Sequence, residues 1–187
     1  MVSFARFAKI AVLLMVFLSG VFLGFSLFST PKTPVGISEN QAISLTDRDY
    51  FPTVHHLLNS ANSSIRMIMF DVKYYPDYPE SLENSLLSDL ESAVERGVDV
   101  RIITDEYLTE KPVVRILEEK GINIKFDPKD ITTHGKLIII DSKIVIVGST
   151  NWGYHSIEKN HEANVVIHSA SLARQFGDYF ERVWAES

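Results

Sequence analysis

The chain has 187 residues, 45% of them hydrophobic, which is enough for one globular domain with a core. It contains no cysteine, and this excludes a disulfide framework and a thiolate metal site. A formal net charge of −6 excludes a broadly basic surface for nucleic acid, although a local positive groove is compatible with it.

The N-terminal segment, residues 1–30, predicts a membrane anchor. Two positive residues, Arg6 and Lys9, precede a stretch from Ile10 to Phe28 that has no charge. Its 19 residues are close to the roughly 20 that span a hydrocarbon core, so we expect a single-pass transmembrane helix in the cell membrane. Because a positive flank stays in the cytoplasm, we expect the rest of the chain on the extracytoplasmic side.

A cleaved signal segment is the alternative for the same residues. Gly24-Phe25-Ser26 is a weak small-x-small cleavage site, and cleavage there would make the protein secreted. Residues 31–40, which include Pro31 and Pro34, predict a linker between this segment and a domain at 41–187.

Strand and helix patterns alternate along the domain. Apolar runs predict strands at 41–45, 64–72, 98–106, 122–126 and 162–168, and a hairpin within 134–152 whose return strand ends at Gly148. Apolar residues at helical spacing predict helices at 50–61, from 81 or 83 to 96, at 111–120 and at 171–185. Strands separated by helices at short spacing are typical of parallel neighbours. The predicted fold class is therefore α/β, with a mixed, largely parallel sheet flanked by helices.

Polar residues bracket the predicted hairpin, whose sequence from residue 134 is HGKLIIIDSKIVIVGSTNW. His134 and Lys136 are two positions apart, so on a strand they point to the same face. Asp141 falls at the turn, where its side chain can bond the local backbone. A lone His or Lys at a strand end is usually structural, but the combination at this spacing is more specific.

The return strand of the hairpin ends at Gly148 and is followed by Ser149 and Asn151. In simple register these two side chains emerge close to His134 and Lys136. A lysine, a hydroxyl and an amide suit a tetrahedral phosphate, and histidine is a natural nucleophile or proton donor near neutral pH. The hairpin therefore predicts a site for phosphate chemistry.

The spacing resembles the HKD signature of the phospholipase D superfamily, position by position: His134-x-Lys136-x4-Asp141-x6-Gly148-Ser149-x-Asn151. The segments SIRMIMFDV, AVERGVDVRIITDE and NHEANVVI also resemble small, single-motif members of this superfamily. Those members include a bacterial endonuclease and a mitochondrial-membrane cardiolipin hydrolase that is also described as a nuclease. The resemblance covers the chain from about residue 40 to its C terminus.

The resemblance implies a reaction shared between two copies of the motif, with no metal and no cofactor. His134 of one protomer would form a phosphohistidine, and His134 of the other would act as acid and base. Lys136 and Asn151 would bind phosphate oxygens, Ser149 would add a hydrogen bond, and Glu162 would orient the histidine. Because the chain carries one motif, we expect an obligate functional homodimer with the site at its interface.

Other candidate residues have weaker support. Asp141 lies away from the His/Lys face, so we expect a structural role for it, as for Gly148. Tyr74 and Tyr75 form either a stacking wall for a base or headgroup or ordinary loop packing, and His161 is a weak candidate for substrate contact.

Three functions remain open at this point. The first is a nuclease that cleaves DNA or RNA, and the second is a phospholipase D-type hydrolase of cardiolipin or phosphatidylcholine headgroups. The third is a non-catalytic, membrane-tethered binding protein. The complete set of site residues favours an enzyme over a binding protein.

Overall fold

The computed structural model describes residues 41–108, 111–128 and 130–187. The predicted anchor or signal segment and the predicted linker lie outside these residues. Within the described ranges, no helix has both the length and the apolarity needed to cross a membrane.

The described residues form a seven-stranded sheet with the order β1-β7-β6-β5-β2-β3-β4. The strands are β1 Gln41–Thr46, β2 Ser64–Met69, β3 Asp99–Thr104, β4 Asn123–Phe126, β5 Lys136–Ile140, β6 Ile144–Gly148 and β7 Ala163–His168. The longer helices are α1 Tyr50–Asn59, α2 Leu82–Glu95, α3 Pro112–Glu119 and α4 Ala170–Glu186. A short π-helical turn, His155–Lys159, precedes β7. The predicted order of elements and the predicted hairpin are confirmed.

The prediction of a largely parallel sheet is wrong. Strands β2, β3 and β4 are parallel, because α2 and α3 carry the chain back between them. The other four pairings among the described strands are antiparallel. The difference arises because β5 pairs with β2 in antiparallel orientation. A hairpin pattern in the sequence does not show which strand the hairpin will pair with.

The sheet separates two hydrophobic clusters. The larger cluster packs α1, α2 and α3 against one face through residues such as Leu58, Leu90 and Val113. The smaller cluster packs α4 against the other face through Ala173 and Phe180. Alternate residues of β5 enter alternate clusters, so this strand is buried on both faces.

Antiparallel pairing brings four strand ends to one edge of the sheet. Met69 at the end of β2 pairs with Lys136 at the start of β5, and Gly148 at the end of β6 pairs with Asn164 near the start of β7. The polar residues that flank these strands therefore collect at the same edge.

Candidate active site

His134 and Lys136 lie in contact at the start of β5. The Lys136 Nζ is 3.2 Å from each ring nitrogen of His134 and donates a hydrogen bond to the His134 carbonyl oxygen at 2.9 Å. Phe70 supports both side chains, with its ring centroid 4.7 Å from that of His134 and 5.1 Å from the Lys136 Nζ. The predicted placement of the two residues on one face is confirmed.

The Lys136 side chain is a buried cation beside an exposed imidazole. Lys136 is 9% exposed, whereas His134 is open to solvent. Burial lowers the pKa of Lys136, while the negative charges of Glu162 and Asp71 act in the opposite direction. In the described part of the chain, no carboxylate is within ion-pair distance of Lys136, so its charge is available to an anionic ligand.

Ser149 and Glu162 form a second pair at the same edge. The Ser149 hydroxyl donates to Glu162 Oε2 and accepts from the Ala163 amide at 3.1 Å. Asn160 donates to the other Glu162 oxygen at 3.1 Å. Glu162 therefore makes its hydrogen bonds to Ser149 and Asn160, and the bond to His134 that the resemblance implied is not formed within one chain.

Asn164 fixes the loop that carries Ser149. Its Oδ1 accepts from the amides of Ser149 at 3.1 Å and Thr150 at 3.2 Å, and its Nδ2 donates to the Thr150 hydroxyl at 2.8 Å. A Cβ on Gly148 would lie 2.2 Å from this Oδ1 and 2.5 Å from the Ala163 carbonyl oxygen. Gly148 is therefore required by the close approach of strands β6 and β7 and not by a need for backbone flexibility.

Asn151 lies in the same loop, next to the buried Trp152. The Trp152 amide donates to the Asp71 carbonyl oxygen at 3.0 Å, and its indole donates to the Tyr50 hydroxyl at 3.0 Å. These bonds hold the loop against the segment that follows β2. The Asn151 Oδ1 is buried with no hydrogen-bond partner among the described residues, so this amide retains capacity for a bound molecule.

A cavity of about 230 Å³ opens beside His134 on the α4 side of the sheet. Arg182 and Tyr179 of α4 line it, together with the loop that precedes β5. Asp127 anchors this loop by accepting from the Thr133 amide with one oxygen and from the Glu106 amide, at 2.9 Å, with the other. The cavity thus offers a second cation, Arg182, close to the exposed imidazole.

Asp141 lies at the opposite end of β5, in the turn to β6, with φ of 52°. Its carboxylate accepts from the amides of Asn62 at 3.0 Å, Ser63 at 2.7 Å and Ser64 at 3.0 Å, and from the Ser63 hydroxyl at 2.9 Å. Burial alone would raise the pKa of Asp141, but these hydrogen bonds lower it. This geometry supports the predicted structural role.

The weaker candidates are separate from the His/Lys pair. The His161 side chain is 99% exposed and lies 3.1 Å from the Asp47 carboxylate. Tyr75 accepts a hydrogen bond from the Tyr154 amide at 3.2 Å and lines a large cavity, whereas Tyr74 is simply exposed. No hydrogen bond, ion pair or ring contact of the described residues joins Tyr74 or His161 to His134 or Lys136.

The sequence of residues 54–184 matches the family described as "Cardiolipin synthase, PLD-like domain". The chain belongs to the phospholipase D superfamily. The mouse protein named mitochondrial cardiolipin hydrolase is 35% identical to this phospholipase D-like domain over 94 residues, which are 49% of this chain and 42% of the mouse protein. A zebrafish protein of the same name is 28% identical over 137 residues, 72% of this chain and 56% of its own. The chain thus matches less than two thirds of the length of these relatives.

Solved structures give the same assignment. Nuc from Salmonella typhimurium, described as a phospholipase D family member, is 25% identical with a TM-score of 0.65, covering 78% of this chain and 96% of that one. NucT from Helicobacter pylori shares the fold at 18% identity and a TM-score of 0.64, covering 78% and 98%. Family membership and the likeness to Nuc support the prediction that this chain is an enzyme of the superfamily.

Three residues that shape the site were not singled out from the sequence. Phe70 follows an apolar strand and looked like one more core residue, and Asp127 stands in a loop without a motif. Asn164 carried a detectable signal, because it shares a strand face with the buried Val166 and a polar group there needs partners.

Proposed function

We propose that this chain is a metal-independent phosphodiesterase in which His134 is the nucleophile. The observation that carries the proposal is the exposed imidazole held 3.2 Å from a buried lysine that forms no ion pair with the described carboxylates. Lys136 would neutralise a phosphate oxygen while a His134 ring nitrogen bonds to phosphorus and the bond from phosphorus to the leaving oxygen breaks. Arg182 is placed to add positive charge on the α4 side.

We further propose that the second histidine is His134 of another copy of the chain. It would protonate the leaving oxygen, and then remove a proton from water as that water displaces the first histidine from phosphorus. The single motif in the sequence supports a homodimer, because one chain supplies one such imidazole. In this arrangement, a group of the second chain, rather than His134 of the same chain, would form the additional hydrogen bond to Glu162.

Subunit mixing tests the dimer. Wild-type protein is equilibrated with an equal amount of His134→Asn, and hydrolysis of a bis-aryl phosphodiester is measured in EDTA. If each site needs two histidines, mixed dimers are inactive and the rate per wild-type subunit falls to about half by random pairing. An unchanged rate per wild-type subunit, or an active monomer in analytical ultracentrifugation, would contradict the proposal.

Nucleic acid is the first candidate substrate. Lys136 in contact with His134 supplies a local positive charge that suits a phosphate oxygen despite the acidic net charge, and Arg182 lines the neighbouring cavity together with Asp127 and Glu186. A phospholipid is the second candidate, because the similar mouse and dog proteins are named mitochondrial cardiolipin hydrolases.

One panel separates the substrates: single- and double-stranded DNA, RNA, cardiolipin vesicles and phosphatidylcholine vesicles, each in EDTA, with His134→Asn as the inactive control. Cleavage of nucleic acid alone supports the nuclease, and release of headgroups alone supports the phospholipase. Cleavage of nothing would favour the non-catalytic binding protein, and cleavage only with added metal would contradict the mechanism.

We also propose that residues 1–30 anchor the protein in the cell membrane with the domain outside the cytoplasm. The uncharged stretch after Arg6 and Lys9 supports this. Retention of the full chain in carbonate-washed membranes, with the domain accessible to protease on intact spheroplasts, is the expected result; a shortened, soluble product would indicate a cleaved signal.

A further inference from the structure

A second cavity, of about 780 Å³, lies beyond the loop that carries Asn151. Its aromatic walls come from Tyr75 and Tyr78, which follow β2, and from Tyr154 at the start of the π-helical turn. Glu83 of α2 and Glu158 of the π-helical turn also line it. We refer to this space as the Glu83 cavity.

Glu83 is the unusual group in this cavity. The residue is 1% exposed, and both of its carboxylate oxygens are buried without a hydrogen bond of normal geometry. Burial raises the pKa of Glu83 and the charge of Glu158 raises it further, while its own amide and the Ser81 hydroxyl act in the opposite direction. Among the described residues, no group makes a hydrogen bond of normal geometry to either Glu83 oxygen. A buried carboxyl group in this state is unfavourable, and a ligand that carries N–H groups can provide the missing donor.

The charge of the Glu83 cavity indicates the charge of that ligand. Asp77, Glu80 and Glu158 line the cavity together with Glu83, and neither lysine nor arginine is among the residues that line it. His155 is the one side chain in the lining that could carry positive charge. Such a site repels a phosphate backbone and attracts a cation.

The walls of the cavity are held in place before any ligand binds. The buried Asn84 accepts from the Tyr75 amide at 3.0 Å and donates to the carbonyl oxygens of Tyr75 at 2.8 Å and Tyr78 at 3.1 Å. The Tyr75 hydroxyl in turn accepts from the Tyr154 amide at 3.2 Å. Both sides of the cavity are therefore tied to one another and to α2, as a preformed binding site requires.

We propose that the Glu83 cavity binds a primary ammonium group, –NH₃⁺, of a small organic amine or of a lipid headgroup. A primary ammonium has three N–H donors, which can satisfy the unpaired oxygens of Glu83 while the tyrosine rings cover its carbon chain. A quaternary ammonium has no N–H group and would leave those oxygens unpaired. This binding site does not depend on the reaction proposed for His134.

Titration calorimetry of the full chain with ethanolamine, and with choline as the matched cation, tests the proposal. Ethanolamine is expected to bind at least about tenfold more tightly than choline, since one charge-assisted hydrogen bond is worth that factor. Glu83→Gln is expected to remove this preference and weaken ethanolamine binding by about tenfold or more. Glu118→Gln, which removes an exposed carboxylate from α3, is the matched control and is expected to bind like wild type.

Three results would overturn the proposal: no binding of ethanolamine, equal binding of choline, or unchanged binding by Glu83→Gln. A thermal unfolding curve is measured to check that Glu83→Gln is folded. If Glu83→Gln does not fold, Tyr154→Leu is used instead to disrupt the cavity and is expected to weaken ethanolamine binding. Sedimentation with phosphatidylethanolamine or phosphatidylcholine vesicles then identifies the source of the amine. Glu83-dependent preference for phosphatidylethanolamine assigns a lipid headgroup, and binding of free ethanolamine without that preference assigns a soluble amine.

Discussion

The two ends of strand β5 carry the motif residues, and they differ in how completely those residues are paired. At one end, Lys136 is buried with no ion pair to a described carboxylate, and His134 is exposed beside it. At the other end, the Asp141 carboxylate accepts hydrogen bonds from three backbone amides and one hydroxyl of the Asn62–Ser64 segment. The charge of Lys136 is therefore available to a ligand, whereas the carboxylate of Asp141 is already engaged by the backbone.

This difference separates residues that act on a ligand from residues that hold the fold. A group that binds substrate must leave its charge or its lone pairs unsatisfied in the free protein, at a cost in stability. A group whose bonds are all made contributes to stability and has little left for a substrate. Mutations at the two ends should therefore affect activity and stability in opposite proportions.

The largest effect on activity is expected for His134→Asn, at the end of β5 that carries Lys136. Loss of the nucleophile should lower the rate of bis-aryl phosphodiester hydrolysis by at least about 10³-fold. The melting temperature should stay within about 2 °C of wild type, because the ring is exposed. His56→Asn changes an exposed histidine of α1 and should keep full activity. The comparison fails if both variants lose activity equally.

Lys136→Met should reduce activity without reducing stability. Removing the cation that faces a phosphate oxygen is expected to lower the rate by about 100-fold or more. The urea midpoint should not fall, since methionine fills a similar volume and no longer buries a charge. Lys143→Met, at the exposed turn beyond the other end of β5, should change neither property. A lower midpoint for Lys136→Met would assign this lysine a structural role.

The positions of these two residues could be predicted from the sequence, whereas their surroundings could not. The two-residue spacing of His134 and Lys136 is a local property, and their side chains are in contact although β5 itself begins only at Lys136. The pairing of β5 with β2 is a tertiary choice between strands more than 60 residues apart in the sequence, and it makes most of the sheet antiparallel. The hydrogen bonds of Asn164 and Asp127 are likewise long-range contacts between residues that no short pattern connects.

The resemblance names candidate site residues but does not specify the hydrogen bonds that they make. Ser149 and Glu162 lie together at the edge that holds His134, as the motif requires. The expected contact of Glu162 with His134 is absent within one chain, where Glu162 accepts instead from Ser149 and Asn160. Each carboxylate oxygen can accept a further hydrogen bond. A motif specifies which groups are needed, but the partner that each group chooses depends on side-chain packing and, for a site shared between chains, on the second chain.

Gly148→Ala tests a residue that should affect both stability and activity, because Gly148 packs against β7 and directly precedes Ser149. The new methyl group would overlap Asn164 Oδ1 and the Ala163 carbonyl oxygen, so we expect a loss of roughly 3 kcal/mol in unfolding free energy. Activity should also fall, because the displaced strand carries Ser149. Gly177→Ala in α4 meets no atom within 4 Å and should instead stabilise the protein by about 0.5 to 1 kcal/mol. Urea denaturation checks both values, and equal signs would contradict the prediction.

A smaller effect than that of Gly148→Ala is expected for Asp141→Asn at the end of β5 where the motif residue is fully hydrogen-bonded, and it should fall on stability alone. Replacing the carboxylate that accepts the Asn62, Ser63 and Ser64 amides should cost about 2 kcal/mol at pH 7. The rate per folded molecule should stay within about twofold of wild type, since the residue lies beyond the far end of β5 from His134.

The pH dependence of that loss gives the decisive measurement. The pKa of Asp141 is lower in the folded chain than in the unfolded one, so its ionised form stabilises the fold above the unfolded value of about 3.9. This contribution is lost as the pH falls from there through the folded pKa. Urea unfolding of wild type and Asp141→Asn should therefore give a constant difference between pH 5 and 7, in the range of about 2 kcal/mol, that shrinks below about pH 4. A difference that persists unchanged at about pH 3, or a variant that is folded but inactive, would move Asp141 from the structural end of the strand to the catalytic one.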